Sequence, residues 1–161
     1  MIIDLRTGIG FDVHAFAEGR KLILGGIEIK YDKGLSGHSD ADALLHAVTD
    51  ALLGSLALGD IGTHFPDDDP RYKNADSTVF LKKAHELIRN RGYYVNNIDV
   101  VVMLQQPKIS PYTQKMKDRI AKILDIGSDR VSIKSTTTEK LGFVGREEGI
   151  SVMAVVTVVR K

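Results

Sequence analysis

The chain contains no cysteine. No disulfide framework can form, and any metal site has to be built from His, Asp or Glu. It also lacks an excess of either charge: 22 Lys and Arg face 21 Asp and Glu. A nucleic-acid-binding or membrane-surface protein is therefore not the default, although a local basic pocket remains compatible with that balance. No apolar run reaches membrane length. The longest, 152–159, is interrupted by Thr157 and falls far short of the ~20 residues that a span requires. The opening Met1-Ile2-Ile3-Asp4-Leu5-Arg6 has neither the basic-then-apolar pattern of a signal peptide nor the Arg/Ser richness of a transit peptide. A cytoplasmic protein is expected.

What is present fits a globular protein. The 161 residues are 43% hydrophobic and 27% charged, enough for a sizeable core. No repeat, low-complexity tract or long linker divides them, so 1–161 is expected to be a single catalytic domain. Residues 8–16 read as a strand, and 22–29 as a second strand bulged or bent at Gly25-Gly26. A Gly-containing loop follows over 31–39. A helix is expected over 40–58, capped by Ser39 or Asp40 and stopped by Gly59, with Leu45, Val48, Leu52 and Leu56 on one stripe. An irregular loop over 59–73 carries Asp67, Asp68 and Asp69. A second helix begins at Asp76 or Ser77 and ends before Gly92. A strand over 98–105 leads to a loop at 107–111, Pro111 opens a third helix to Leu124, and 131–137 and 150–159 are the last strands.

This order predicts an α+β fold: a four- to five-stranded mixed sheet with three helices on one face. Segments 100–104 and 152–159 are almost continuously apolar, as in strands buried on both sides. Three helices cover one side only. A second copy of the chain is the economical cover for the other, so a homo-oligomer is expected.

Asp12 and His14 stand two apart on a strand, which places them on one face with Val13 on the other. His46 lies in the first long helix, at the flank of the apolar stripe, where a helix meets a sheet. One carboxylate and two imidazoles make a three-ligand set with a vacant fourth position, the pattern of a catalytic zinc site. Imidazole ligands favour zinc over magnesium. The plainer alternative is chance: Asp-x-His is a short motif, and a helical His is commonly a satisfied polar residue. His38, Ser39, Asp40 and Asp42 crowd a helix N-terminus, which either binds an anion or is merely capped.

Lys134-Ser135-Thr136-Thr137-Thr138-Glu139-Lys140 follows a strand. Its hydroxyls and carboxylate suit a diphosphate with a hard cation, Glu139 holding magnesium. The competing reading is a capping box, Thr136 with Glu139, that starts a helix. Arg146 in a glycine-containing loop suits phosphate, or is a solvated surface residue. Gln105-Gln106-Pro107-Lys108 ends a strand in a loop able to read a base edge, or is only a turn. Gly8-Ile9-Gly10 is too little for a dinucleotide fingerprint.

Several blocks fit one family together: Gly10-Phe11-Asp12-Val13-His14, Gly37-His38-Ser39-Asp40-Ala41-Asp42 with His46, Gly59-Asp60-Ile61-Gly62, Phe65-Pro66-Asp67, Gln106-Pro107-Lys108, Thr136 to Phe143, and Gly145-Arg146. Over nearly its full length the chain resembles the 2-C-methyl-D-erythritol 2,4-cyclodiphosphate synthases, phosphorus-oxygen lyases of non-mevalonate isoprenoid biosynthesis. The resemblance implies cyclisation of 4-diphosphocytidyl-2-C-methyl-D-erythritol 2-phosphate, with release of CMP. The 2-phosphate attacks the β-phosphorus of the diphosphate. It implies a homotrimer with active sites between subunits, zinc on Asp12, His14 and His46, and magnesium or manganese on Glu139.

By the same resemblance, His38 and Thr137 are catalytic. Substrate contacts are implied for Asp12, His14, His38, Ser39, Asp60, Ile61, Gly62, Phe65, Asp67 and Asp69. Leu104, Gln105, Gln106, Pro107, Lys108, Ile109 and Ser110 are implied to form the cytidine pocket with Thr136 and Thr137, and Thr138, Glu139, Phe143 and Arg146 to complete the site. Asp68, Ser110 and Ser135 depart from the family pattern, Ser110 at a cytidine-loop position, and none of these departures removes a proposed metal ligand. A fused cytidylyltransferase is not expected at this length. Two rival functions remain: a zinc-dependent phosphohydrolase of a nucleotide diphosphate, and a non-catalytic trimeric binder of nucleotides or isoprenoid phosphates.

Overall fold

A computed structural model describes residues 3–160. Met1 and Ile2, on which part of the N-terminal reading falls, lie outside the described residues.

The sheet has five strands: β1 (Leu5–Glu18), β4 (Lys33–Leu35), β5 (Tyr93–Met103), β6 (Val131–Thr136) and β7 (Gly149–Arg160). Their order is β4-β1-β7-β5-β6, and only the β5–β6 pair is parallel. The expected mixed α+β sheet is therefore present. Its central strands are the long apolar ones, as their composition demands.

Residues 22–29 do not form one bulged strand. They form a separate hairpin, β2 (Leu22–Leu24) and β3 (Ile27–Ile29). Gly25 and Gly26 both take positive φ, 60° and 71°. Two such residues in succession reverse the chain in a two-residue turn instead of bending a continuing strand.

The first helix, α1 (Ala43–Ser55), is shorter than the expected 40–58. Asp42 caps it, not Ser39 or Asp40, its carboxylate accepting from Leu45 N at 3.0 Å. Gly59 does not end it, since the chain already turns left-handed at Ala57, φ 55°. The loop expected over 59–73 contains a helical turn, α2 (Ile61–His64), and a 3-10 turn at Pro70–Tyr72. The remaining long helices are α3 (Thr78–Arg89) and α4 (Thr113–Leu124), with a short turn α5 (Gly142–Gly145). No helix starts at Thr136, so the capping-box reading of Thr136 and Glu139 fails; Glu139 and Lys140 instead take positive φ.

Helix α1 lies directly on β1 and β7, α3 packs on α1, and α4 packs on β6. Leu44, Leu45, Leu52 and Leu53 of α1 are fully buried, each contributing roughly 1.5–3 kcal/mol of transfer free energy. The approach of α1 to β1 is unusually close because Gly8 and Gly10 line that face. A Cβ on Gly10 would fall 1.9 Å from the carbonyl oxygen of Ala47, and one on Gly8 1.8 Å from that of Ala51. Strand alternation puts Gly8, Gly10, Asp12 and His14 on this covered face. The opposite face exposes Ile9, Phe11 and Val13 of β1 with Met153 and Val155 of β7. Within one chain the apolar strands are thus covered on one side only. No helix among the described residues is long and apolar enough to cross a membrane.

Candidate metal centre

Asp12 and His14 come from β1, and His46 from the second turn of α1. The glycine-mediated contact between these elements brings three ligand atoms together. Asp12 Oδ2 lies 2.9 Å from His14 Nε2 and 3.1 Å from His46 Nδ1, and the two ring nitrogens are 3.3 Å apart. These separations are close to the edges of a tetrahedral N/O zinc site, about 3.3 Å for bonds of about 2.0–2.1 Å. Among the described residues this is the one group of three or more such side chains placed to hold an ion.

The protonation chemistry fits a cation. His14 Nδ1 lies 2.6 Å from the carbonyl oxygen of Ser36. A carbonyl only accepts, so Nδ1 carries the proton and Nε2 offers its lone pair to the cluster. Burial pushes the Asp12 carboxyl up, but the His14 and His46 imidazoles outweigh it and hold it at about 2. Burial pulls the His14 imidazole down, and the Asp12 carboxylate more than reverses that, leaving it raised. A charged carboxylate beside two imidazole nitrogens draws a positive charge to one point, which a ring proton or a metal ion can supply.

A cleft of about 520 Å³ opens beside the cluster. His14, His38, Ser39, His46, Ile61, Gly62, Phe65 and Asp67 line it. These are eight of the residues singled out in the sequence, gathered from four segments. His38 is exposed, its Nε2 3.3 Å from the Asp69 carbonyl. Ser39 is buried and lies 3.3 Å from His46 Nε2 instead of capping α1. Asp60 caps α2, accepting from Thr63 N and Oγ1, and these bonds hold its carboxyl below the usual range. Asp69 does not enter this cleft; its carboxylate is paired with Arg71 at 2.6 Å.

The second set of residues forms a different cleft, of about 310 Å³, lined by 104–109 with Ser135, Thr136 and Thr137. Ser110 lies just beyond it. Thr137 Oγ1 donates to Glu139 Oε1 at 3.0 Å, and Lys140 N donates to Gln105 Oε1 at 3.4 Å. Thr138 Oγ1 is turned to the Leu141 carbonyl. Phe143 is exposed on α5, and Arg146 is paired with Glu148 at 2.8 Å. None of these lines the metal cleft. The sheet register explains the separation. Val13, Ser151, Met103 and Thr136 are paired in a row across β1, β7, β5 and β6. The strands that carry the two clefts, β1 and β6, are therefore three strand spacings, about 14 Å, apart at this row of the sheet.

Sequence reasoning missed several residues here. Tyr72 and Phe80 form the aromatic wall of the metal cleft, with Phe80 4.8 Å from Phe65 and 6.0 Å from His46 between ring centroids. Asp50, one turn after His46, accepts from Ile61 N at 2.7 Å and so fixes α2 against α1. Ser77 Oγ lies 2.9 Å from His46 Nε2. Only the aromatic spacing carried a signal, and it reads equally as ordinary core.

Fold and cluster together define an α+β protein with an Asp-His-His group, able to hold a metal ion, where a helix meets a sheet. The sequence model of the YgbB family matches residues 5–159, and the chain belongs to that family. It is 56% identical over 156 residues to the 2-C-methyl-D-erythritol 2,4-cyclodiphosphate synthase of Bacillus cytotoxicus, covering 97% of this chain and 99% of that one. Among solved structures, the bifunctional IspDF of Campylobacter jejuni matches with TM-score 0.96 and 46% identity over 99% of this chain. The chain spans 43% of that protein's length. IspF of Plasmodium falciparum in complex with CDP matches with TM-score 0.86 and 34% identity, covering 98% of this chain and 97% of that one.

Proposed function

We propose that the chain is a cyclising phosphorus-oxygen lyase. It converts 4-diphosphocytidyl-2-C-methyl-D-erythritol 2-phosphate to 2-C-methyl-D-erythritol 2,4-cyclodiphosphate and CMP, in the cytoplasm and as a step of non-mevalonate isoprenoid biosynthesis. The observation that carries this reading is the convergence of Asp12, His14 and His46 beside the larger cleft. The relative from Bacillus cytotoxicus that bears this activity's name is more than half identical over nearly the whole chain.

The reaction needs no strong base, because the attacking group is already a phosphate. An oxygen of the 2-phosphate bonds to the β-phosphorus, and the bond from that phosphorus to the CMP oxygen breaks. The difficulty is bringing two anions together. Asp12, His14 and His46 would hold Zn2+, and Glu139 would hold Mg2+ or Mn2+ with the diphosphate. Bound there, these cations supply Lewis-acid neutralisation of phosphoryl oxygens. One protein carboxylate is the usual complement for magnesium, the substrate and water filling the other positions.

His38 and Thr137 would donate to the developing phosphoryl charge, and Ser39 would orient a phosphate. Asp60, with Ile61 and Gly62 beside it, would bind the erythritol hydroxyls. The 104–110 loop would seat the cytosine, with Lys108 in it. Folding the substrate between these groups supplies proximity. Within one chain the strands that carry the two halves, β1 and β6, are about 14 Å apart. A homotrimer, in which one subunit's metal cleft meets a neighbour's 104–110 and 136–139 segments, would join them.

Incubating the protein with the cytidine substrate and Mg2+ and resolving the products by phosphorus NMR tests this reading. CMP with the cyclic diphosphate is expected. CMP with a linear bisphosphate would indicate a phosphohydrolase, and binding without turnover with both metals supplied would indicate a binding protein. Glu139→Gln should weaken the response to Mg2+ while bound zinc stays; an unchanged magnesium titration would remove Glu139 from that role.

A further inference from the structure

Ser77 occupies the N-cap position of α3, where a serine hydroxyl normally accepts from the first helical N–H groups. It makes no such bond. The side chain is fully buried, and its hydroxyl is engaged elsewhere. Oγ donates to Asp40 Oδ1 and lies 2.9 Å from His46 Nε2. The backbone N–H of Ser77 donates to the other Asp40 oxygen at 3.1 Å, and Asp42 N donates to Asp40 Oδ1 at 3.2 Å. Asp40 is thus surrounded by donors and acts as an acceptor.

A hydroxyl has one proton. With that proton directed to Asp40, Ser77 Oγ meets His46 only as an acceptor, so His46 carries its ring proton on Nε2. The lone pair is then on Nδ1, the atom that faces Asp12 and His14. Ser39 Oγ is the other hydroxyl within reach of Nε2, but at 3.3 Å it is farther, and with the Ser77 proton on Asp40 its own proton is directed to Ser77 Oγ, 3.4 Å away. We propose that Ser77 and Asp40 are positioning residues: a carboxylate–hydroxyl–imidazole relay that fixes the tautomer and ring orientation of His46 as a metal ligand. The inference rests on the reading of Asp12, His14 and His46 as a metal centre. It gives Ser77 a role through His46, not through substrate. It also explains why a residue type suited to capping is diverted from α3, since a partner one bond beyond a metal ligand sharpens its geometry and basicity.

Two readouts test the relay in the full-length protein. The first is the ring-nitrogen NMR signature of His46 in metal-free protein at alkaline pH, where imidazoles are neutral. The second is zinc affinity by chelator competition. In the wild-type chain His46 should be a single Nε2–H tautomer. Ser77→Ala should give a mixture of tautomers and weaken zinc binding about 10- to 100-fold. Asp40→Asn should shift both readouts in the same direction, and serves if Ser77→Ala does not fold. A wild-type His46 protonated on Nδ1 would overturn the proposal. So would a folded variant with the wild-type tautomer and zinc affinity within about twofold, below the usual effect of such a partner. If the wild-type chain binds no zinc, the metal reading fails by itself, while the tautomer measurement still decides the relay.

Discussion

Asp42 is fully buried at the start of α1, accepting from Gly25 N, Gly26 N and Leu45 N at 2.9, 2.6 and 3.0 Å. Burial pushes its carboxyl up to about 7 against the pull of those three N–H groups. The folded chain therefore binds this proton more tightly than the unfolded chain, where Asp titrates near 4. Its contribution to stability is complete below about pH 4 and is lost as pH rises to about 7. Asp42→Asn keeps an acceptor oxygen and cannot ionise. Urea melts should show the variant gaining on wild type between those pH values, by a few kcal/mol in all; a difference independent of pH contradicts the assignment. His46→Ala should leave the purified protein without stoichiometric zinc and with little activity, and wild-type zinc content would remove His46 from the ligand set. The three proposed ligands were legible because strand alternation pairs Asp12 with His14 and helical position puts His46 at the edge of the apolar stripe, while the family resemblance joins them. Ser77 was not, since the local rule assigns it to a cap and only the packing of α3 against α1 turns it toward His46.

At the scale of elements, the contact between β1 and α1 determines whether His46 reaches the strand. Gly10→Ala would drive a methyl into the Ala47 carbonyl, which cannot rotate away as a flexible side chain can. The expected cost is toward the upper end of the 1–3 kcal/mol range, about 2–3 kcal/mol, for overpacking. Denaturant unfolding measures it, and a loss below about 0.5 kcal/mol, typical of a surface site, would contradict the close approach. Helix and strand identities followed from apolar periodicity over most of the chain. The boundaries did not. Gly25-Gly26 read as a bulge because sequence shows only that glycine permits positive φ, and the reversal depends on Leu22–Leu24 pairing with Ile27–Ile29. The stop at Gly59 was anticipated by Ala57, a left-handed residue that propensity disfavours and tertiary packing imposes.

For the whole molecule, the uncovered sheet face is the strongest constraint on assembly. Ile9, Phe11, Val13, Met153 and Val155 present a contiguous apolar surface of the kind that marks an interface. The unbroken apolar strands foretold an apolar face left uncovered within one chain, since their composition suits burial on both sides. The sequence could not show that the two clefts lie apart within one chain, because that depends on the register of four strands. Phe11→Glu, on the exposed face and outside both clefts, should convert the proposed trimer to monomers by sedimentation velocity and abolish cyclisation while zinc remains bound. A monomer that retains full activity would mean that one chain completes the site.

All of this depends on one cation lying where β1 meets α1. An anomalous difference map at the zinc edge, from a crystal grown with zinc, addresses it directly. The account predicts a peak bonded to Asp12 Oδ2, His14 Nε2 and His46 Nδ1, with a further position open to the cleft. A map with no peak between those atoms would contradict it.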